Sequence, residues 1–234
     1  KQLGYGDPDA AAARLAAIRN GARYRQLPEP SRERVDKLVP QLIELAAARD
    51  NPDATLARCL DLGEAISRRA PYLALLDEHP AALERVADIL SASPWAADYL
   101  TQHPVLLDEL IDPRLLFEAP GWNGFGHQMR QSLMLLDGDA ERQMDALRDA
   151  HHAQMFHLLA QDLAGALTVE RLADHLSDLA DLMLQVTLEL CWTQLRVRHR
   201  KDEPRFAIIG YGKLGGKELG YASDLDIIFL YDDD

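Results

Sequence analysis

A mainly α-helical chain that turns to α+β near its end is predicted by three observations. Prolines mark a series of helix starts, apolar residues recur at helical spacing through most of the 234 residues, and short β-branched and aromatic runs appear only late. The expected division is an all-helical central or linker module over residues 1–117. Over 118–234 two long helices should be followed by a strand, a glycine-rich loop and a second strand.

The helix starts come first. A polar residue precedes proline at Asp7-Pro8, Asn51-Pro52, His79-Pro80, Ser93-Pro94, His103-Pro104 and Asp112-Pro113. Proline suits the first helical position because the N–H it lacks would have no partner there, and Asp, Asn or Ser before it can accept from the free amides. Leu56, Leu60, Ala65 and Ile66, and then Leu83, Val86, Ile89 and Leu90, keep the helical period between these starts. Leu76, His79, Pro80 and Leu83 recur at a fixed offset as Leu100, His103, Pro104 and Leu107, which predicts two similar helix-turn-helix units side by side. His79 and His103 each precede a helix-starting proline, so they are expected as helix-entry residues rather than metal ligands.

The stretch 118–126, with Pro120, Gly121, Gly124 and Gly126, marks the expected domain boundary. Two long helical periods follow Asp137-Gly138-Asp139, over 139–164 and 168–199. The first carries His151, His152 and His157, but no two of them are four apart, the spacing by which a helix offers a histidine pair to zinc, so a solvated helix face is expected. In the second, Leu172, Leu176, Leu179, Met183 and Val186 form an apolar stripe that belongs in a core. Cys59 and Cys191 stand far apart within helical patterns and are expected as buried thiols, with neither a disulfide nor a zinc cluster. At Pro204 the period changes: 205–210 reads as a buried strand and 224–231 as a second, with the glycine-rich stretch 211–223 between.

Composition excludes some roles. A net charge of −13 and a pI near 5 argue against affinity for nucleic acid, which needs a basic face. No apolar stretch approaches the roughly 20 residues of a spanning helix, and the N-terminus lacks the segments of a secretory signal, so a cytoplasmic protein without a membrane partner is expected. The chain opens on Lys1 and closes on Asp232-Asp233-Asp234 directly behind an apolar run, which reads as an excised piece.

The chemistry gathers at the second strand. Two residues apart on a strand, Asp224 and Asp226 would share a face while Leu225 turns to the other. Like charges so close need a cation, and rigid oxygen ligands suit Mg²⁺, which also bridges substrate phosphates. Gly212, Gly215, Gly216 and Gly220 free the preceding backbone for tight turns, and Lys213 and Lys217 add positive charge. Strand, glycine-rich turn and Asp-x-Asp on an adjacent strand is the layout of the polymerase-β-like nucleotidyltransferases. A competing motif is present: 210–215 matches the dinucleotide fingerprint G-x-G-x-x-G, with Asp232 near the spacing of a ribose-binding acid. That motif needs a long crossover helix between parallel strands, and Gly216, Gly220 and Ser223 interrupt the few residues available for one.

The segment 206–231, running from Phe206-Ala207-Ile208-Ile209 through Gly210-Tyr211-Gly212-Lys213-Leu214-Gly215-Gly216 and Glu218-Leu219-Gly220-Tyr221 to Ser223-Asp224-Leu225-Asp226-Ile227-Ile228-Phe229, resembles the signature of the glutamine synthetase adenylyltransferase family. The stretches Tyr72-Leu73-Ala74-Leu75-Leu76, Ser93-Pro94-Trp95 and His103-Pro104 with Leu106-Leu107-Asp108 resemble its central helical region. The resemblance implies AMP transfer from ATP to a tyrosine of glutamine synthetase, in control of nitrogen assimilation, with a PII-type signalling protein as a further partner. It implies catalytic and Mg²⁺-binding roles for Asp224 and Asp226. Gly215, Gly216 and Ser223 would lie against the triphosphate, with Lys213 and Lys217 beside them. The Gly-Gly pair stands closer to the first Asp than the general nucleotidyltransferase pattern has it, and a third carboxylate would come from beyond residue 234, so this piece is expected to be inactive alone. The last strand, short of neighbours, is expected to fold against helices around 170–199 or to associate between molecules. Two alternatives stay open: the adenylyl-removing half of the same enzyme, which strips AMP with phosphate, and a non-catalytic helical interaction module.

Overall fold

The computed structural model describes residues 3–111, 118–195 and 205–231. The Asp112-Pro113 helix start, the end of the second long helical period at 196–199, and Asp232 lie outside the described residues. The chain divides into two compact units, Lys1–Leu116 and Phe117–Asp234.

The first unit is helical throughout its described part. It runs α1 (Pro8–Asn20), α2 (Ala22–Arg25), α3 (Glu29–Ala47), α4 (Pro52–Ile66), α5 (Ala70–Glu78), α6 (Pro80–Ala92), α7 (Pro94–Gln102) and a 3-10 helix (Pro104–Leu110). The described polar–proline pairs each open one of these helices, but their side chains act differently. Asp7 and Ser93 accept from the amides of Ala10 and Ala96, as N-caps do. Asn51 instead turns its amide oxygen to the hydroxyls of Thr55 at 2.6 Å and Ser91 at 2.8 Å, tying the start of α4 to the end of α6. His79 and His103 make no side-chain cap. Arginines finish two of the helices: Arg58 donates to the Leu90 carbonyl at 2.6 Å and Arg85 to that of Leu110 at 3.0 Å, each satisfying a carbonyl that the helix end leaves open. Pro40 sits inside α3, which continues through it from Glu29 to Ala47.

The four leucines of the repeat, Leu76, Leu83, Leu100 and Leu107, are all buried. The two units differ in their second halves, since His79-Pro80 opens an α-helix and His103-Pro104 a 3-10 helix. Helix α4 packs on α3, α6 and α7, and Cys59 on it is buried deeply enough that its thiol is pushed up to about 12. Beside Cys59 lies an apolar cavity of about 70 Å³, bordered by Leu38, Leu62, Leu76 and Leu83.

Gly63 borders the same cavity from the interior of α4, and a Cβ there would meet nothing within 4 Å. Glycine in mid-helix costs roughly 0.5–1 kcal/mol relative to alanine. Gly63→Ala is therefore expected to stabilise this unit by about that amount, measured as a higher urea midpoint at unchanged slope.

The second unit packs α8 (Trp122–Met134), α9 (Ala140–Leu163) and α10 (Val169–Gln194) on one another. Met129, Leu133, Leu147 and Val186 form a core between them. Gly124 and Gly126, expected in a boundary stretch, lie inside α8. Gly126 lies close under Leu182 on α10, whose methyl group a Cβ there would meet at 2.8 Å. Arg130 reaches across with a bidentate pair to Glu189, at 2.6 and 2.9 Å, and the guanidinium holds that carboxyl below the usual carboxylate range.

Two expectations about α9 and α10 need correction. His151, His152 and His157 are half-buried rather than solvated, and burial holds His151 below the ordinary imidazole range. Cys191 is exposed, not buried: five residues past the core Val186, about 140° round the helix, it has turned away from the packed face.

Beyond these helices, β1 (Phe206–Tyr211) and β2 (Asp226–Tyr231) pair antiparallel, from Phe206 opposite Tyr231 to Tyr211 opposite Asp226. The first strand alternates half-buried and exposed residues instead of being buried. The second does not fold under the helices: Ile228 is 49% exposed and Phe229 55%. An isolated two-stranded ribbon has too little surface to cover both of its faces.

Candidate functional site

The connection between the two strands, residues 212–225, is shaped by what its glycines permit. Directly after β1, Gly212 takes a φ of +54°, open to glycine at little cost, and begins α11 (Gly212–Gly215), a helix of four residues. A Cβ on Gly212 would collide with the carboxylate of Asp226, so the first residue of β2 rests its acid group over this bare backbone. Gly215 folds equally close to the end of β1, where a Cβ would meet the Gly210 carbonyl oxygen at 2.6 Å. Buried Leu214 and Leu219 seat the connection on the body of the unit.

Past α11 the chain turns at Lys217, whose φ is +54°. The amides of Lys217 and Glu218 donate to the carbonyls of Leu214 and Lys213 at 3.1 and 2.8 Å, which closes the helix end. The Lys217 ammonium lies 3.5 Å from Asp178 on α10. Near it, burial pushes the Asp181 carboxyl up, partly offset by the lysine charge. A second turn follows, in which the Ser223 hydroxyl accepts from the Gly220 amide at 2.9 Å and the Ser223 amide donates to the Gly220 carbonyl at 3.1 Å. Between them Tyr221 donates its hydroxyl to Asp162 on α9 at 2.9 Å, and burial followed by that carboxylate raises the phenol above its ordinary range.

The predicted residues therefore divide. Asp226 and the glycine turn are brought together, and Asp224, Lys213, Gly215 and Gly216 lie exposed on the same connection. Lys217 and Ser223 are engaged with Asp178 and Gly220. Asp224 precedes β2, so the shared-face argument from strand alternation covers Asp226 but not Asp224. The dinucleotide alternative is excluded by geometry, since the strands are antiparallel and the helix after the third glycine's turn is absent: only the four residues of α11 are helical. Among the described residues, no three His, Cys, Asp or Glu side chains gather as a metal site, including the three histidines of α9.

Tyr221, Asp162 and Asp178 were not anticipated. A single aromatic residue in the glycine-rich stretch 212–225 was a usable signal for the first; nothing local marks the two acids, which come from distant helices.

Comparison with known proteins agrees with this layout. The family model for glutamate-ammonia ligase adenylyltransferase matches residues 83–234, which include the whole hairpin and the three helices before it. Proteins named bifunctional glutamine synthetase adenylyltransferase/adenylyl-removing enzyme are similar along nearly all of the chain. The one from Aromatoleum aromaticum is 63% identical over 89% of this chain and 22% of its own length. Those from Ralstonia nicotianae and Chromobacterium violaceum are 55% and 54% identical over 100% of this chain, and 24% and 26% of their own lengths. The chain thus spans about a quarter of the length of these relatives. With a matched region that reaches from α6 through the Asp226 hairpin, the chain belongs to the glutamate-ammonia ligase adenylyltransferase family.

Proposed function

We propose that this chain carries part of the nucleotide-transfer site of an enzyme that moves AMP from ATP to a tyrosine of glutamine synthetase. The observation that carries the reading is the seating of the Asp226 carboxylate over Gly212 at the mouth of an antiparallel hairpin. In this reading the hairpin opens a polymerase-β-like sheet, a PII-type signalling protein is a further partner and the compartment is the cytoplasm.

The donor set fits Mg²⁺. Asp224 and Asp226 are exposed hard oxygen donors on one short segment, and the bare backbone of Gly212 leaves room beside the second of them. Mg²⁺ held by Asp224 and Asp226 would neutralise the phosphate charge of ATP. The exposed glycine turn of Gly215 and Gly216 lets a triphosphate approach without a Cβ in the way, and Lys213 stands next to it. In the transfer the tyrosine oxygen bonds the α-phosphorus, the bond to the β-phosphate breaks, pyrophosphate leaves and the hydroxyl proton passes to solvent.

The test uses a polypeptide of the relatives' length that carries this chain, with labelled ATP, Mg²⁺ and glutamine synthetase. Label on the glutamine synthetase with release of pyrophosphate is expected. Phosphate-dependent release of ADP from already modified glutamine synthetase, without the forward transfer, would assign the chain to the removing reaction instead.

Gly212→Ala probes the seating itself. A left-handed φ costs a non-glycine residue roughly 1–2 kcal/mol, and the new Cβ must displace the Asp226 carboxylate. AMP transfer is expected to fall at least about tenfold in steady-state assays while thermal unfolding shifts by only a few degrees. Wild-type turnover in this variant would remove Gly212 from the site.

A further inference from the structure

We infer that Tyr221 and Asp162 are positioning residues, a hydrogen-bonded latch that holds the strand-to-strand connection on α9 and so sets where Asp224 and Asp226 stand. The inference deepens the nucleotide-transfer reading and rests on it.

Three observations lead there. The first is reach: Tyr221 stands three residues before Asp224, and the turn between them is closed twice, by the Ser223 hydroxyl and the Ser223 amide, both on Gly220. A displacement of Tyr221 is therefore passed to Asp224 instead of being absorbed in slack chain. The second is the platform. Asp162 lies in the last turn of α9, just past the buried Phe156, Leu158 and Leu159, and its carbonyl accepts from the Gly165 amide at 2.8 Å where the helix ends. That end of the bond has little freedom to move.

The third is a local cost. An acid in the last turn of a helix faces the negative end of the helix dipole, which disfavours it. Asp162 is retained against that preference and receives the Tyr221 hydroxyl at 2.9 Å. A position that opposes local helix preference and serves a contact 59 residues away is where a sequence spends stability on geometry. The exposed Lys217–Asp178 pair adds a weaker contact from the earlier part of the connection to α10.

Tyr221→Phe keeps the ring and its packing and removes only the hydroxyl. In a polypeptide of the relatives' length, Mn²⁺ is the probe, read by electron paramagnetic resonance on the nucleotide-free protein. The Mn²⁺ dissociation constant is expected to rise and AMP transfer to fall, each about tenfold, the scale of losing one hydrogen bond to a charged acceptor, with a melting temperature lowered by no more than a few degrees. Asp162→Ala should do the same, and the pair of changes together should do no more than the worse single one. Asp162→Asn, which keeps an oxygen acceptor, should recover the affinity lost in Asp162→Ala.

A melting temperature lowered in both single variants, with Mn²⁺ affinity of the folded protein unchanged, would reduce the contact to ordinary packing and overturn the latch. If Tyr221→Phe does not fold, the Asp162→Ala and Asp162→Asn comparison decides alone. The two readings fail separately. A wild type that binds Mn²⁺ through Asp226 but transfers no AMP defeats the proposed reaction and still lets Mn²⁺ affinity judge the latch. An active wild type with an undisturbed Tyr221→Phe variant defeats the latch only.

Discussion

Asp226→Asn is expected to abolish AMP transfer, and Asp224→Asn to do the same, in a polypeptide that folds as the wild type does. The substitution leaves side-chain volume almost constant and removes one negative charge. Asp226 is exposed at the start of β2, so neither packing nor the strand register from Tyr211–Asp226 to Phe206–Tyr231 depends on its charge. What depends on it is the ability to hold a divalent cation against a triphosphate, an interaction whose loss typically costs several kcal/mol of transition-state stabilisation, or more than about a hundredfold in rate. Labelled AMP on glutamine synthetase measures it. Turnover above about a tenth of wild type in either variant, a loss under 1.4 kcal/mol, would end the assignment of that carboxylate. Unequal losses would be informative as well, since the structure places Asp226 on the strand and Asp224 ahead of it.

The largest stability effect is expected at Leu83→Ala in the first unit. Leu83 is 1% exposed on α6 and borders the cavity of about 70 Å³ beside Cys59. Removing most of a buried leucine typically costs about 2–5 kcal/mol, and the cost grows with the volume left empty because neighbours relax only in part. A void already present at the site enlarges when Leu83 is truncated, so the upper half of that range is expected. Chemical denaturation followed by helical circular dichroism reads the change directly. A loss under about 1 kcal/mol would mean that α4 and α6 collapse into the space, and the cavity would then not survive as drawn. Gly63→Ala, at another residue bordering the cavity, should move stability the other way, because its effect comes from helix preference and adds no clash.

How much of this was legible without coordinates varies along the chain for identifiable reasons. Helix starts were legible because proline at the first helical position is a local preference, satisfied by the residues on either side of it. Buried leucines at 76, 83, 100 and 107 were legible from period. The exposure of Cys191 was legible too but passed over: it lies about 140° round the helix from Val186, off the stripe of Leu172, Leu176, Leu179, Met183 and Val186. The burial of β1 and β2 was not legible: runs such as Ile227-Ile228-Phe229 predict strands, yet their burial depends on what lies on either side of the sheet. Gly124 and Gly126 suggested a linker by composition, whereas both are helical, and a Cβ on Gly126 would crowd Leu182 on a helix 56 residues further along the chain.

At the candidate site the residue types and their order, Gly212 through Asp226, were determined by sequence alone, as was the argument against a dinucleotide fold, since both rest on spacing within one short stretch. Only the tertiary structure decided that Asp226 lies over Gly212, that Lys217 turns to Asp178, and that Tyr221 is tied to Asp162. Those are contacts between residues brought together by the packing of α9 and α10. A side chain's local sequence sets its chemistry and its backbone preference, but a partner from a distant helix leaves no trace beside it in the chain.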